Sequence, residues 1–151
     1  MGPDSGDHHA VVLHLWQAGH DDDADRADDV DALADAEARM WLADPDGTRL
    51  PPGVLDLVRA MNRTALVNER SGVGTDREPE PVVGRLGELD LPVLVVVGSL
   101  DLADVRLTAG LLAERVRGAE HVVVDGAAHL PALEKPAEVG AVLRRFLARL
   151  E

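Results

Sequence analysis

Residues 92–97, Pro-Val-Leu-Val-Val-Val, are apolar at every position, and this run constrains the fold more than any other feature of the chain. A strand with one wet face alternates apolar and polar side chains. A strand without alternation is covered on both faces, as inner strands of parallel sheets are. The run stops at Gly98. A second unbroken run, His121–Val124 (HVVV), predicts another buried strand, and Val105–Val116 between them predicts a helix with Leu107, Leu111 and Leu112 facing inward. Strand, helix and strand in this order form a parallel β-α-β unit, because parallel neighbours need a crossover of about a dozen residues or more. Ala10–Trp16 (AVVLHLW) is too short for a stable helix and predicts a third strand. The expected fold class is therefore α/β, a partial parallel sheet of about three strands flanked by helices, with the Pro92–Val97 strand in the middle. Pro136–Leu150 carries Val139, Val142, Leu143, Phe146, Leu147 and Leu150 on one stripe, the pattern of a helix packed on that sheet.

The chain upstream of this unit is different in kind. Gln17–Asp29 is rich in aspartate without periodicity and predicts a solvated loop. From Asp29 to Leu42 the apolar residues Val30, Leu33, Ala34, Ala38 and Trp41 recur at helical spacing. Asp44–Gly53 breaks that pattern with turn residues, and Val54–Asn68 forms a second helical pattern, with Val54, Val58, Met61 and Ala65 on one face. Ser71–Pro81 is polar and reads as a loop. Three regions follow: an acidic segment with a strand (1–28), a helical pair (29–78) and an α/β unit (79–151).

Composition narrows the function classes. A length of 151 residues suits one folded domain, and a net charge of −13 lacks the basic footprint that phosphate-backbone binding requires. Nucleic acid is therefore not an expected partner. There is no cysteine, so thiolate catalysis, disulfides and Cys-ligated zinc are excluded. No apolar run reaches the ~18 residues that span a bilayer, and the acidic stretch Met1–His9 is unlike a signal peptide. A cytoplasmic protein without membrane partners is expected. His8, His9, His14 and His20 near Asp21–Asp23 contain no helical i, i+4 histidine pair, so no metal site is expected, and nothing points to a cofactor.

Chemistry in open α/β sheets gathers beyond the carboxyl ends of the strands. Two loops occupy that position: Gly98-Ser99-Leu100-Asp101 after the first run, and Asp125-Gly126-Ala127-Ala128-His129-Leu130-Pro131 after the second. They bring a carboxylate and an imidazole out of neighbouring strands at one edge. An aspartate that accepts a hydrogen bond from one ring nitrogen fixes the histidine tautomer and leaves the other nitrogen free to take a proton. Asp101 and His129 are the candidate site residues. Asp104 competes with Asp101 for the acid role, although its place just before Val105 fits a helix cap, and Ser99 fits a turn closure.

These two stretches resemble the α/β-hydrolase superfamily. PVLVVVGSLDLADV is similar to that family's acid-bearing strand and turn, and VVVDGAAHLPALEKPAEV to its histidine loop. The resemblance implies that Asp101 is the acid and His129 the base of a Ser/Asp/His triad, in the family's chain order. The helices at 29–68, with EARMW and VRAMNRTAL, resemble the cap that such hydrolases insert over the active site. Under such a cap Trp41, Met61 and Asn62 would face substrate, although helical spacing assigns Trp41 and Met61 to packing. The departure concerns the nucleophile. The family places it in a G-x-S-x-G turn between strand and helix, and neither Ser5, Ser71 nor Ser99 stands in one. If Ala10–Trp16 is the strand before the cap, the elbow belongs upstream of Met1 and the sequence is truncated. The expected function is that of a truncated hydrolase of esters, lactones or carbon–carbon bonds next to carbonyls, inactive by itself. The alternative is a non-catalytic α/β module whose exposed strand edge pairs with another chain, either an N-terminal half or a second copy.

Overall fold

The computed structural model describes residues 29–44, 48–72 and 83–150. In chain order these form α1 (Val30–Leu42), α2 (Val54–Arg70), a 3-10 turn (Val83–Glu88), β1 (Leu94–Gly98), α3 (Ala103–Arg115), β2 (Glu120–Val124), the single-turn α4 (Pro131–Glu134) and α5 (Pro136–Leu147). β1 and β2 are parallel, in register from Leu94 opposite Glu120 to Gly98 opposite Val124. The fold is thus α/β, with helices around a small parallel sheet. The strand expected at Ala10–Trp16 lies outside the described residues, so two of the expected strands are seen, and the middle place given to β1 depends on a neighbour that is not among them.

β1 is only partly covered over Leu94–Val96 and is buried at Val97 and Gly98, and β2 departs further from the two-sided burial expected. Val97 is 4% exposed and Val124 3%, so both strands sink into the core at their carboxyl ends. Along β2, however, His121 and Val123 are exposed while Val122 is partly covered. Three consecutive valines satisfy a one-faced and a two-faced strand equally, and only the elements packed on each face decide between them. The crossover helix turns differently as well. Leu107 is 63% exposed, while Leu111 and Leu112 are partly covered as expected; Ala109 is buried, and with Val105 and Leu112 it borders a groove shared with Val95–Val97. In α5 only Val139 and Val142 are buried, while Leu143 and Leu147, and Leu150 beyond the helix end, face outward.

Asp29 caps α1, its Oδ1 accepting from the backbone N–H of Asp31 (3.0 Å) and Ala32 (3.1 Å). The two long helices meet along Ala34, Ala38 and Leu42 on α1 and Val58 and Leu66 on α2. Met61 and Ala65, placed by apolarity on that face, are exposed. The seam runs instead at four-residue steps through Val54, Val58, Asn62 and Leu66, so the polar Asn62 takes the position expected for Met61. Asp35 on α1 pairs with Arg39 at 3.0 Å and with Arg59 of α2, and Asp31 pairs with Arg63 at 2.6 Å.

Two apolar clusters result. Ala38, Leu42 and Val58 form one, joined by Leu50, Val54, Leu55, Leu130 and Leu133; Val124, Ala127 and Val139 form the other, joined by Val96. Burying each Leu or Val contributes about 1.5–3 kcal/mol. Both clusters draw on the loop after β2, which therefore lies at the junction of helix pair and sheet. No described helix is long and apolar enough to cross a membrane.

Candidate functional site

The turn after β1 and the loop after β2 are joined by their own backbones. Ser99 N–H donates to the carbonyl of Val124 (2.9 Å), and Leu100 N–H to that of Ala127 (2.8 Å). The Ser99 hydroxyl donates to Asp125 Oδ1 (3.2 Å) and accepts from Gly126 N–H (2.8 Å). It closes the turn, as expected. Gly98 is required where it stands, because a Cβ there would collide with the backbone carbonyl oxygens of Ala127 and Ala128. Its bare backbone lets the second loop lie directly across the end of β1.

That crossing places His129 over Asp101. His129 Nδ1 lies 3.0 Å from Asp101 Oδ1 and 3.2 Å from Oδ2. The carboxylate is buried, its side chain 4% exposed, and its Oδ1 also accepts from Leu102 N–H at 2.7 Å. With a carboxylate opposite Nδ1, the hydrogen-bond partner assigns the proton to that nitrogen and leaves Nε2 as the basic one. The imidazole is 35% exposed. It borders a groove of about 370 Å³ lined by Val95, Val97, Asp104, Val105, Leu112 and Pro131. Among the described residues β1 has one strand neighbour, β2.

The helix pair holds the histidine from the other side. His129 N–H donates to the Trp41 carbonyl (3.1 Å), and the two rings sit 4.4 Å apart at 33°. Trp41, assigned by spacing to packing, therefore touches the candidate base. After α1 the chain turns through Ala43, whose left-handed φ of 47° lets Ala43 and Asp44 N–H donate back to Met40 and Arg39 carbonyls. Asp44, 3% exposed, accepts from Thr48 N–H (3.2 Å) and Arg49 N–H (3.1 Å). Arg49 then reaches into the histidine loop. Its Nη1 donates to the Gly126 carbonyl (2.7 Å), and its Nη2 to the Leu42 carbonyl and to Glu134 Oε2 (2.8 Å). Asp44, Arg49 and Glu134 were not legible as site residues. A glutamate following the histidine in the LPALEKP stretch was the available signal, but its burial was not.

Other expectations resolve differently. Asp104 does not cap α3: the helix begins at Ala103, two residues earlier than such a cap implies, after Leu102, which makes no side-chain cap, and Asp104 falls in the first turn, where its charge favours the helix dipole. Met61 is 51% exposed, and the Asn62 amide nitrogen is buried without a partner. The Ser71 hydroxyl donates to the Asn68 carbonyl (2.7 Å) at the end of α2. Ser5, the four N-terminal histidines and Asp21–Asp23 lie outside the described residues. Among the described residues no group of three metal-ligating side chains occurs.

Solved structures share this fold. They include an N-acyl homoserine lactone degrading enzyme (25% identity over 82% of this chain and 49% of that one, TM-score 0.60). A second is the enol-lactonase from Burkholderia xenovorans (24%, 82% and 46%, 0.60), and a third a thermophilic esterase from Thermogutta terrifontis (24%, 78% and 43%, 0.65). The chain spans less than half the length of each of these three. No family model matches the sequence, and no curated protein matches it significantly.

Proposed function

We propose that this chain, which has an α/β-hydrolase fold in part, supplies the acid and base of a hydrolase whose nucleophile comes from polypeptide outside this sequence. The observation that carries the reading is the contact of His129 Nδ1 with the buried Asp101 carboxylate, 3.0 Å apart beyond the ends of adjacent parallel strands. Asp101 stays ionised, accepts a hydrogen bond from Nδ1–H and stabilises the imidazolium. Nε2 takes the proton of a hydroxyl nucleophile as its oxygen attacks the acyl carbon, and returns it to the departing alkoxide. A water activated by Nε2 then releases the acyl group. The donors that stabilise the oxyanion come, in this family, from the residue after the nucleophile and an earlier loop.

The substrate class is an ester or lactone, supported by the lactone-degrading and esterase activities named for the structural neighbours and by the apolar groove beside His129. The α1–α2 pair, within residues 29–78, serves as the cap over a core formed by residues 79–151. General-base help is worth ~100- to 10,000-fold and requires a nucleophile to act on. The isolated chain is therefore expected to show no serine-dependent turnover of p-nitrophenyl esters. Mixing it with a separately expressed N-terminal half bearing a G-x-S-x-G elbow restores turnover, and His129→Ala removes most of it. Robust turnover by the isolated chain, blocked by a serine-directed phosphonate, would place the nucleophile in this sequence and overturn the reading.

A second reading rests on one observation: exposed Leu107, Val123, Leu143 and Leu147 leave apolar surface around a sheet whose β1 has a single described neighbour. A non-catalytic module would use that surface to bind another chain or a second copy. Concentration-dependent association in ultracentrifugation, together with an inactive reconstituted pair, favours it.

A further inference from the structure

Asp44, Asp101 and Glu134 are the buried carboxylates of the described residues, and the proposed chemistry uses only Asp101. The Glu134 side chain has no exposed surface. Burying a carboxylate carries a desolvation cost that is offset only when donors fill its lone pairs. Here they do. Oε1 accepts from Leu130 N–H (3.0 Å) and Ala128 N–H (3.1 Å), and Oε2 accepts from Ala128 N–H (2.9 Å) and Arg49 Nη2 (2.8 Å). Ala128 and Leu130 are the residues on either side of His129, so one carboxylate grips the chain immediately before and after the imidazole. Arg49 carries the grip onward to the Gly126 carbonyl and to the end of α1, whose Trp41 carbonyl holds the His129 N–H itself.

We propose that Glu134, clasped by Arg49, is a positioning residue that orients the His129 imidazole towards Asp101, so that docking of the α1–α2 pair sets the geometry of the base. The inference rests on the acid–base reading of His129. The charge matters because two converging N–H groups and a guanidinium need an acceptor with lone pairs on both oxygens. A glutamine offers one such oxygen and turns its own N–H₂ towards a donor. A lysine at Arg49 keeps the charge but cannot reach the Gly126 and Leu42 carbonyls and Glu134 together, since it lacks the planar fork.

The test uses the full chain labelled with ¹⁵N-histidine, with the His129 signals identified by their loss in His129→Gln. The wild type is expected to show the Nδ1–H tautomer with a protected Nδ1 proton. Asp101→Asn tests the acid–base pairing separately: unchanged His129 signals in that variant overturn the pairing and the positioning role with it, whereas changed signals there with a wild-type spectrum in Glu134→Gln overturn the positioning role alone. Glu134→Gln is expected to lose the protected proton and mix the tautomers, and Arg49→Lys to do so to a smaller extent. Leu66→Ala, destabilised within the helix seam, keeps the wild-type His129 spectrum below its melting transition. A folded Glu134→Gln protein, by its cooperative melt, with a wild-type His129 spectrum overturns the proposal. Should Glu134→Gln not fold, Arg49→Lys decides by the same comparison. If Leu66→Ala perturbs His129 equally, the effect is general loosening and the proposal also falls.

Discussion

His129 Nδ1 stands 3.0 Å from Oδ1 and 3.2 Å from Oδ2 of Asp101, across 28 positions of sequence, with the aspartate buried and the histidine open to a groove. The asymmetry of exposure matters. A buried carboxylate has few hydrogen-bonding alternatives to its neighbours, so the ring is held by one nitrogen while the other meets incoming molecules. Asp101→Asn preserves shape but can present an N–H to Nδ1, favouring the opposite tautomer. In the reconstituted pair this substitution is expected to lower kcat/KM by ~100- to 10,000-fold, the range attributable to general-base help. Retention of wild-type turnover would show that the contact has no catalytic part.

Gly98 is expected to tolerate no side chain. Gly98→Ala forces Cβ against two backbone carbonyl oxygens, which cannot swing aside as a flexible side chain would. Denaturant titration should show a loss of about 1–3 kcal/mol, the usual cost of overpacking, or more. The His129 Nδ1 proton should lose protection in the same variant, since the displaced loop carries the histidine.

Ala43 is expected to be improved upon. Its φ of 47° is a left-handed conformation that costs an L-residue about 1–2 kcal/mol. Glycine removes that penalty but adds entropy to the unfolded chain, so Ala43→Gly should stabilise by about 0.5–1 kcal/mol. Ala43→Val should do the reverse. Urea midpoints of the two variants check the sign.

The helix pair should weaken in acid through Asp35. Its carboxyl is held below the ordinary value of 3.8 by the hydrogen bond from Arg39 and, next among the favourable contacts, that from Arg59, against an opposing effect of partial burial. A folded-state pKa below the unfolded one means that the contribution is fully present above about pH 5 and is lost as pH falls through the lowered folded value. The group is 38% exposed, so solvent screens the effect. Urea midpoints of the wild type and Asp35→Asn should therefore differ at neutral pH and converge below pH ~4. A gap that stays constant down to pH ~2 would contradict the assignment.

Much of this was written in local pattern. Valine runs ending at Gly98 and Val124, with a helical pattern between them, specify two strands joined by a crossover and therefore parallel, and the loops that follow them bring Asp101 and His129 to one edge. The α1 and α2 patterns likewise specify helices close to where they occur. What periodicity could not decide was orientation and neighbourhood. Leu107, Leu143 and Met61 are as apolar as the residues that are buried, yet each faces outward, because which side of a helix is covered depends on an element far away in sequence. Asn62 entered the helix seam for the same reason. Arg49 and Glu134 stand 85 positions apart, and neither alone announces a partner. Only the packing of the helix pair against the histidine loop removes Glu134 from water, and with that desolvation turns a charged pair into a clasp on the backbone either side of His129.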